Sequence, residues 1–232
     1  MKKAIIFDLD GCLVESEVLS LRALAQEVHD LGATDVDEVE LGRELLGFNM
    51  ASIAEWIARR TGQPTPPGFI GRFDEKIMDL YPEALLPVDG APTLLGWLRR
   101  DGHDIALATG SSIARMRLAL RVTDLESYFD GAVCSADEVA RGKPAPDLFL
   151  HAAGIIGRAP ADCIVLEDSP HGVKGALDAG MTAVGFIGGG HLEGRRDEHA
   201  ELLRRAGCSS IVETLAEFYA LVAAKPQLAR NG

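Results

Sequence analysis

The chain has 232 residues, enough for one large domain or two small ones, and 47% of them are hydrophobic, ample for a core. A net charge of −12 argues against nucleic acid or an anionic membrane surface as the main partner, though not against a small anion held by local positive groups. Cys12, Cys134, Cys163 and Cys208 are scattered without metal-ligand spacing and read as free thiols in a reducing cytoplasm.

Lys2 and Lys3 precede an apolar run that Asp8 interrupts after four residues, too short for a signal peptide. No stretch approaches transmembrane length. The run Ala4-Ile5-Ile6-Phe7 predicts a strand buried on both faces, entering Asp8-Leu9-Asp10-Gly11. Alternation along an extended chain points Asp8 and Asp10 the same way, and Gly11 lets the backbone turn. Ser16 is placed as the cap of a helix whose apolar residues Val18, Leu21, Ala25, Val28 and Leu31 recur at helical spacing, with Gly32 as its stop. Further helical patterns cover 36–46, 52–60 and 69–80, with a Pro/Gly-rich loop over 61–68. Four helices without a strand between them break a βαβ rhythm, which predicts an inserted all-α cap over 16–84 and an α/β core made of 1–15 and 85–232.

From Leu86 onward the pattern alternates. Helices are expected over 90–100, 113–121, 146–153, 170–179, 198–205 and 214–223, and strands over 104–108, 131–134, 163–166, 182–186 and 210–212. Such alternation predicts a Rossmann-like, mainly parallel sheet with right-handed crossovers. Three strands then end in ligand-ready loops: Asp8/Asp10, Thr109-Gly110-Ser111, and Glu167-Asp168. In a parallel sheet these ends share one edge, where ligands bind. Carboxylates from two strands suit a hard cation such as Mg²⁺. Thr109 and the amides that open the next helix suit a phosphate, and Lys143, in Arg141-Gly142-Lys143-Pro144, adds a cation to neutralise a phosphoryl oxygen.

Asp8-Leu9-Asp10-Gly11-Cys12-Leu13-Val14, Thr109, Gly142-Lys143-Pro144-Ala145-Pro146-Asp147 and Glu167-Asp168-Ser169 together resemble the four motifs of the haloacid dehalogenase-like hydrolases. The helical insert just after the first motif is similar to the β-phosphoglucomutase-like branch with its small helical cap. The resemblance implies Asp8 as nucleophile forming an aspartyl-phosphate, and Asp10 as general acid and then general base. It implies Mg²⁺ held by Asp8, Asp10 through its backbone carbonyl, and Asp168, with Glu167 direct or through water. Leu9, Thr109, Gly110 and Lys143 would grip the phosphoryl oxygens. The cap would close over the site, with Glu17 and Asn49 as candidate readers of the leaving group. Glu17 also suits the helix dipole as an ordinary first-turn acid.

The chain departs from the mutases of this branch in several places. Glu15 stands where the family usually carries Asp, and Ser20 where the mutases carry His. The cap loop Leu46-Gly47-Phe48-Asn49-Met50 lacks the Arg that binds a distal phosphate; Arg43 and Lys76 are the remaining cap cations to place. The expectation is therefore a cytoplasmic, Mg²⁺-dependent phosphatase of a small phosphorylated metabolite, a sugar phosphate or sugar-acid phosphate, with a monomer as the default. A sugar phosphomutase is the alternative, and a non-catalytic phosphate-binding protein stands further off. His29, His103, His151 and His199 lie at helix ends or in loops with no metal partner at ligand spacing; His171 and His191 fall near the active edge within reach of a substrate, with solvation as the preferred reading; and Trp56 and Trp97 are read as helix core residues.

Overall fold

The structure is a computed structural model and describes residues 2–45 and 50–224. Six parallel strands form one sheet in the order β3-β2-β1-β4-β5-β6. They are β1 (Ala4–Phe7), β2 (Ile105–Thr109), β3 (Val133–Ser135), β4 (Cys163–Glu167), β5 (Thr182–Phe186) and β6 (Ser210–Val212). β1 sits at the centre because its four residues are wholly buried, and its alternate side chains feed two different cores. Ile5 and Phe7 face α5 (Ala91–Arg100), α6 (Ile113–Val122) and α10 (Leu215–Ala223). Ala4 and Ile6 face α7 (Asp147–Ile155), α8 (Pro170–Asp178) and α9 (Arg196–Ala206). A strand with no wet face must be apolar throughout, which is the pattern its sequence carries.

Between β1 and α5 lie α1 (Ser16–Asp30), α2 (Glu38–Leu45), α3 (Met50–Thr61) and α4 (Phe69–Ala84), with no strand among the described residues of that stretch. Their buried faces, including Leu24, Leu41, Ile57 and Ile77, join the Phe7 side of the core through Leu9, Leu13, Val14 and Leu19. The fold is thus a Rossmann-like α/β core carrying an inserted helical cap. Where the chain leaves and re-enters the core its two segments pair with each other: Val14 bridges Pro87, and the Glu15 amide donates to the Leu86 carbonyl at 2.9 Å. No helix among the described residues is long and apolar enough to cross a membrane.

Two sequence expectations need correction here. Ser16 does not cap α1; it is the first residue of that helix, Glu15 precedes it without a side-chain cap, and the Ser16 hydroxyl is used elsewhere. α4 also runs past Leu80, through Pro82. A proline near the end of a helix forfeits one bond, and the Leu85 amide still reaches the Tyr81 carbonyl at 3.1 Å. The cysteines are all buried and free, and Trp97 is half-buried against Tyr219 where Trp56 is buried.

Phe7 meets Phe129 and Phe218 edge-on, with ring centroids 6.5 and 6.0 Å away. Phe7→Ala removes the aromatic that joins β1 to two flanking elements. It should cost about 3–5 kcal/mol in urea denaturation, whereas Phe7→Leu should cost clearly less.

Candidate active site

β1 is flanked by β2 and β4, with Phe7 opposite Leu166, so Asp8 and Glu167 stand at the same level on adjacent strands. The chain leaves β1 toward one side of the sheet and occupies the other side later, which opens a crevice at this pair. Into the crevice comes Lys143, from the loop between β3 and α7. Its Nζ donates to Asp8 Oδ1 and, at 2.6 Å, to Glu167 Oε1, and it lies 5.2 Å from the centre of the Phe149 ring. Burial alone would depress this ammonium, but Asp8 and Glu167 raise it and keep it charged. Burial pushes the Asp8 carboxyl well above the usual carboxylate range; Lys143 opposes this, while Glu167, Asp168 and Asp10 add to it.

Glu167 is fully buried, and its Oε2 accepts from the Ser169 amide at 2.9 Å and the Ser169 hydroxyl at 3.1 Å. Ser169 caps α8 by accepting from the Gly172 amide, as its place before Pro170 predicts. Glu167 leans so closely on this helix start that a Cβ on Gly172 would fall 1.7 Å from Oε1. Asp168 is bracketed by two histidines. His191 Nε2 lies 3.3 Å from its Oδ2, and His199 Nε2 donates to its carbonyl at 2.5 Å. Both are buried, for His191 contrary to the expectation of a solvated side chain: the loop after β5 and the start of α9 fold back over the strand end. His191 Nδ1 is buried with no hydrogen-bond partner.

Asp10 is held differently. Its Oδ1 accepts from the Ser16 hydroxyl at 2.6 Å and from Arg115 Nη2 at 3.0 Å; its Oδ2 accepts from the hydroxyls of Thr109 at 3.0 Å and Ser111 at 2.6 Å. Burial would raise this carboxyl, but Arg115 foremost and then the three hydroxyls hold it below its ordinary range. Arg115, on the buried face of α6, also donates through Nε to Tyr81 Oη at 2.8 Å and through Nη2 to Ser20 Oγ at 3.3 Å. Its Nη1 lies 3.8 Å from Asp74 Oδ1. Tyr81, Ser20 and Asp74 belong to the cap, so one guanidinium of the core joins the second aspartate to two cap helices.

The expected residues therefore assemble, with some changes of partner. Asp8, Asp10, Gly110, Lys143, Asp168 and Glu17 line one cavity. The Thr109 hydroxyl is committed to Asp10 and accepts from the Ser111 amide at 3.0 Å, so Gly110 and Ser111 are what that loop shows the cavity. The Leu9 side chain is in the core, leaving its backbone to a ligand. Asn49 lies outside the described residues. Lys76 is taken by Glu27 at 2.9 Å and Asp30 at 2.6 Å, and Arg43 is exposed and does not line the cavity. The contacts of Ser16 and Ser111 with Asp10, and the part played by Arg115 and His199, were not read from the sequence. Only Arg115 left a signal there, a cation on the face of α6 that otherwise buries Met116, Ala119 and Leu120.

A divalent cation fits this donor set. Ligand atoms of Asp8, Cys12 and Asp168 lie within 4.8 Å of one another. Burial pushes the Cys12 thiol well up, Asp168 and Asp8 push it further, and its Sγ contacts the Leu166 carbonyl at 3.9 Å, which leaves two carboxylates for a hard ion. Four acids, Asp8, Asp10, Glu167 and Asp168, face two buried cations, Lys143 and Arg115, an excess that a divalent ion would balance. Glu167, committed to Lys143 and Ser169, stands outside that group.

A capped α/β fold with a buried nucleophile-like carboxylate, a lysine upon it and a second, separately held carboxylate defines a phosphoric monoester hydrolase. Residues 2–180 match the model of the haloacid dehalogenase-like hydrolases, and the chain belongs to that family. It is 30% identical to the fructose-1-phosphate phosphatase of Escherichia coli, over 78% of this chain and 94% of that one. It is 29% identical to the β-phosphoglucomutase of Bacillus subtilis, over 93% and 94%. A crystal structure of a haloacid dehalogenase family hydrolase from Deinococcus radiodurans, with bound phosphate and sodium, superposes with a TM-score of 0.78 at 30% identity, over 96% and 95%.

Removing one partner of a buried ion pair strands the other charge. Arg115→Met should cost about 3 kcal/mol in denaturant unfolding, and markedly less in an Asp10→Asn background where no carboxylate is stranded. Equal costs in both backgrounds would show that Arg115 acts by packing alone.

Proposed function

We propose that this enzyme is a Mg²⁺-dependent phosphatase that hydrolyses a small phosphorylated metabolite through an aspartyl-phosphate. The observation that carries this reading is Asp8 at the β1–β4 crevice with Lys143 on its Oδ1, beside a second carboxylate held apart from both. The fructose-1-phosphate phosphatase among its relatives supports phosphorylated sugars as the class from which the substrate is drawn.

In the first step an Asp8 oxygen attacks phosphorus in line, the bond to the leaving oxygen breaks, and Asp10 gives that oxygen a proton. In the second, Asp10 takes a proton from water as the water attacks phosphorus, and Asp8 and inorganic phosphate are released. Asp10 accepts four hydrogen bonds and is held ionised, the state suited to the second step; the first requires that it leave part of this ring. Lys143 neutralises a phosphoryl oxygen while Glu167 fixes its position. Asp8 and Asp168, with the backbone carbonyl of Asp10, would hold Mg²⁺, which when bound offsets the charge of these acids and of the phosphoryl group. The cap, taken as 16–84, shuts water out and presents Glu17 to the leaving group. A cytoplasmic location belongs to this proposal, supported by four free cysteines that suit a reducing compartment.

The mutase alternative needs a cation in the cap for a second phosphate. Lys76 and Arg43 are placed elsewhere, and the stretch 46–49 is uncharged by sequence. Hydrolysis is therefore the favoured outcome. With p-nitrophenyl phosphate, phosphate release should vanish in Asp8→Asn, stop on addition of EDTA and return with excess Mg²⁺. Undiminished release by Asp8→Asn would sink the proposal. Asp10→Asn should lose about 10²–10⁴ in turnover.

A further inference from the structure

We propose that the alcohol esterified to phosphate is neutral and predominantly apolar beyond its first carbons, so that it inserts between the cap helices. This rests on the phosphatase reading and names the substrate chemistry of the same site. The cavity holds about 370 Å³, with Asp8, Lys143 and Asp168 on its core side. Its cap side is built from Leu21 and Leu24 on α1, Leu45 on α2, Ile53 on α3 and Phe73 on α4. Leu24, Leu45, Ile53 and Phe73 are buried residues of the bundle's interior. The cavity is therefore lined by residues of all four cap helices, and its described cap side is mostly hydrocarbon.

Such a wall discriminates strongly. A hydroxyl pressed against it without a partner loses roughly tenfold or more in affinity, whereas each buried methylene gains about fourfold. Two polar residues stand on the cap side among the described residues, Glu17 and Ser20, and Ser20 already accepts from Arg115. Glu17 can accept from one hydroxyl close to the phosphate. Its carboxyl also repels a second anion, and among the described residues the lysine and the arginine that line the cavity are already engaged: Lys143 by Asp8 and Glu167, and Arg115 by Asp10. Sugar acids, bisphosphates and fully hydroxylated chains are thereby disfavoured. Deoxygenated sugars and other alcohols that turn an apolar body to the cap are favoured.

The full chain with Mg²⁺ is assayed on n-alkyl phosphates from ethyl to hexyl, a hexitol phosphate, a hexose phosphate with its deoxy analogue, and a hexose bisphosphate. Expected is a kcat/KM that rises about fourfold per methylene until the cavity fills. Hexyl phosphate should exceed the hexitol phosphate by at least about a hundredfold, and the deoxy sugar should exceed its parent. Ile53→Phe should shorten the preferred chain and Ile53→Ala lengthen it; should either fail to fold, the wild-type ladder decides alone. A flat ladder, or a hexitol phosphate better than hexyl phosphate, overturns the inference and leaves the phosphatase intact. No phosphate release from any ester removes both.

Discussion

Lys143 between Asp8 and Glu167 is the contact on which the site depends. A parallel sheet brings its carboxyl ends to one edge, and here that edge gathers Asp8, Asp10, Glu167 and Asp168 within a largely dry crevice. Four carboxylates cannot stay ionised together at such spacing without compensation. The lysine supplies part of it directly, and its own geometry is fixed by Glu167 from below and the Phe149 ring alongside. Glu167 in turn is held by Ser169 at the start of α8. The position of Asp8 is thus set by a chain of contacts running from α8 through Glu167 and Lys143, all within the core.

Asp10 belongs to a different set of contacts. Its ring of hydroxyls and one guanidinium draws on β1's following turn, the loop after β2, α6 and the first residues of α1. Because Arg115 also holds Tyr81 and Ser20, a shift of the cap changes what Asp10 is bound to, whereas Asp8 feels it far less. Glu15, the last core residue before the cap, is itself anchored within the core: its Oε2 accepts from the Gly190 amide at 2.9 Å. Arg195 makes a second tie from core to cap, donating to the Gly42 carbonyl of α2 at 2.8 Å.

The sheet was legible because parallel strands carry their signal in the chain itself. The runs 4–7, 182–186 and 210–212 match observed strands to the residue; for the first, a strand buried on both faces has to be apolar throughout, and the other two are short β-branched or apolar runs bounded by turn residues. The acids and Lys143 were legible for a related reason: each directly follows a strand or sits beside Gly and Pro, where no core residue would be expected. Ser16 was misassigned because a serine before a helix reads as a cap whether its hydroxyl turns toward its own helix or away. The burial of His191 and His199 against Asp168 escaped because it depends on which strand end a loop folds across, and spacing carries no trace of that. Arg115 needed a question that periodicity does raise, namely why a cation sits on a buried helix face.

Gly172 has a consequence for how this sequence can drift. It is not a hinge and has no positive φ; it is a vacancy that Glu167 fills, leaving no room for a methyl group. The glycine and the acid are therefore a single heritable unit. Any descendant that keeps Glu167 in this pose must keep glycine five positions later, and one that gains a side chain at 172 must first surrender the anchor of its lysine. A change at that silent-looking position would thus mark a lineage leaving this chemistry before any catalytic residue had altered.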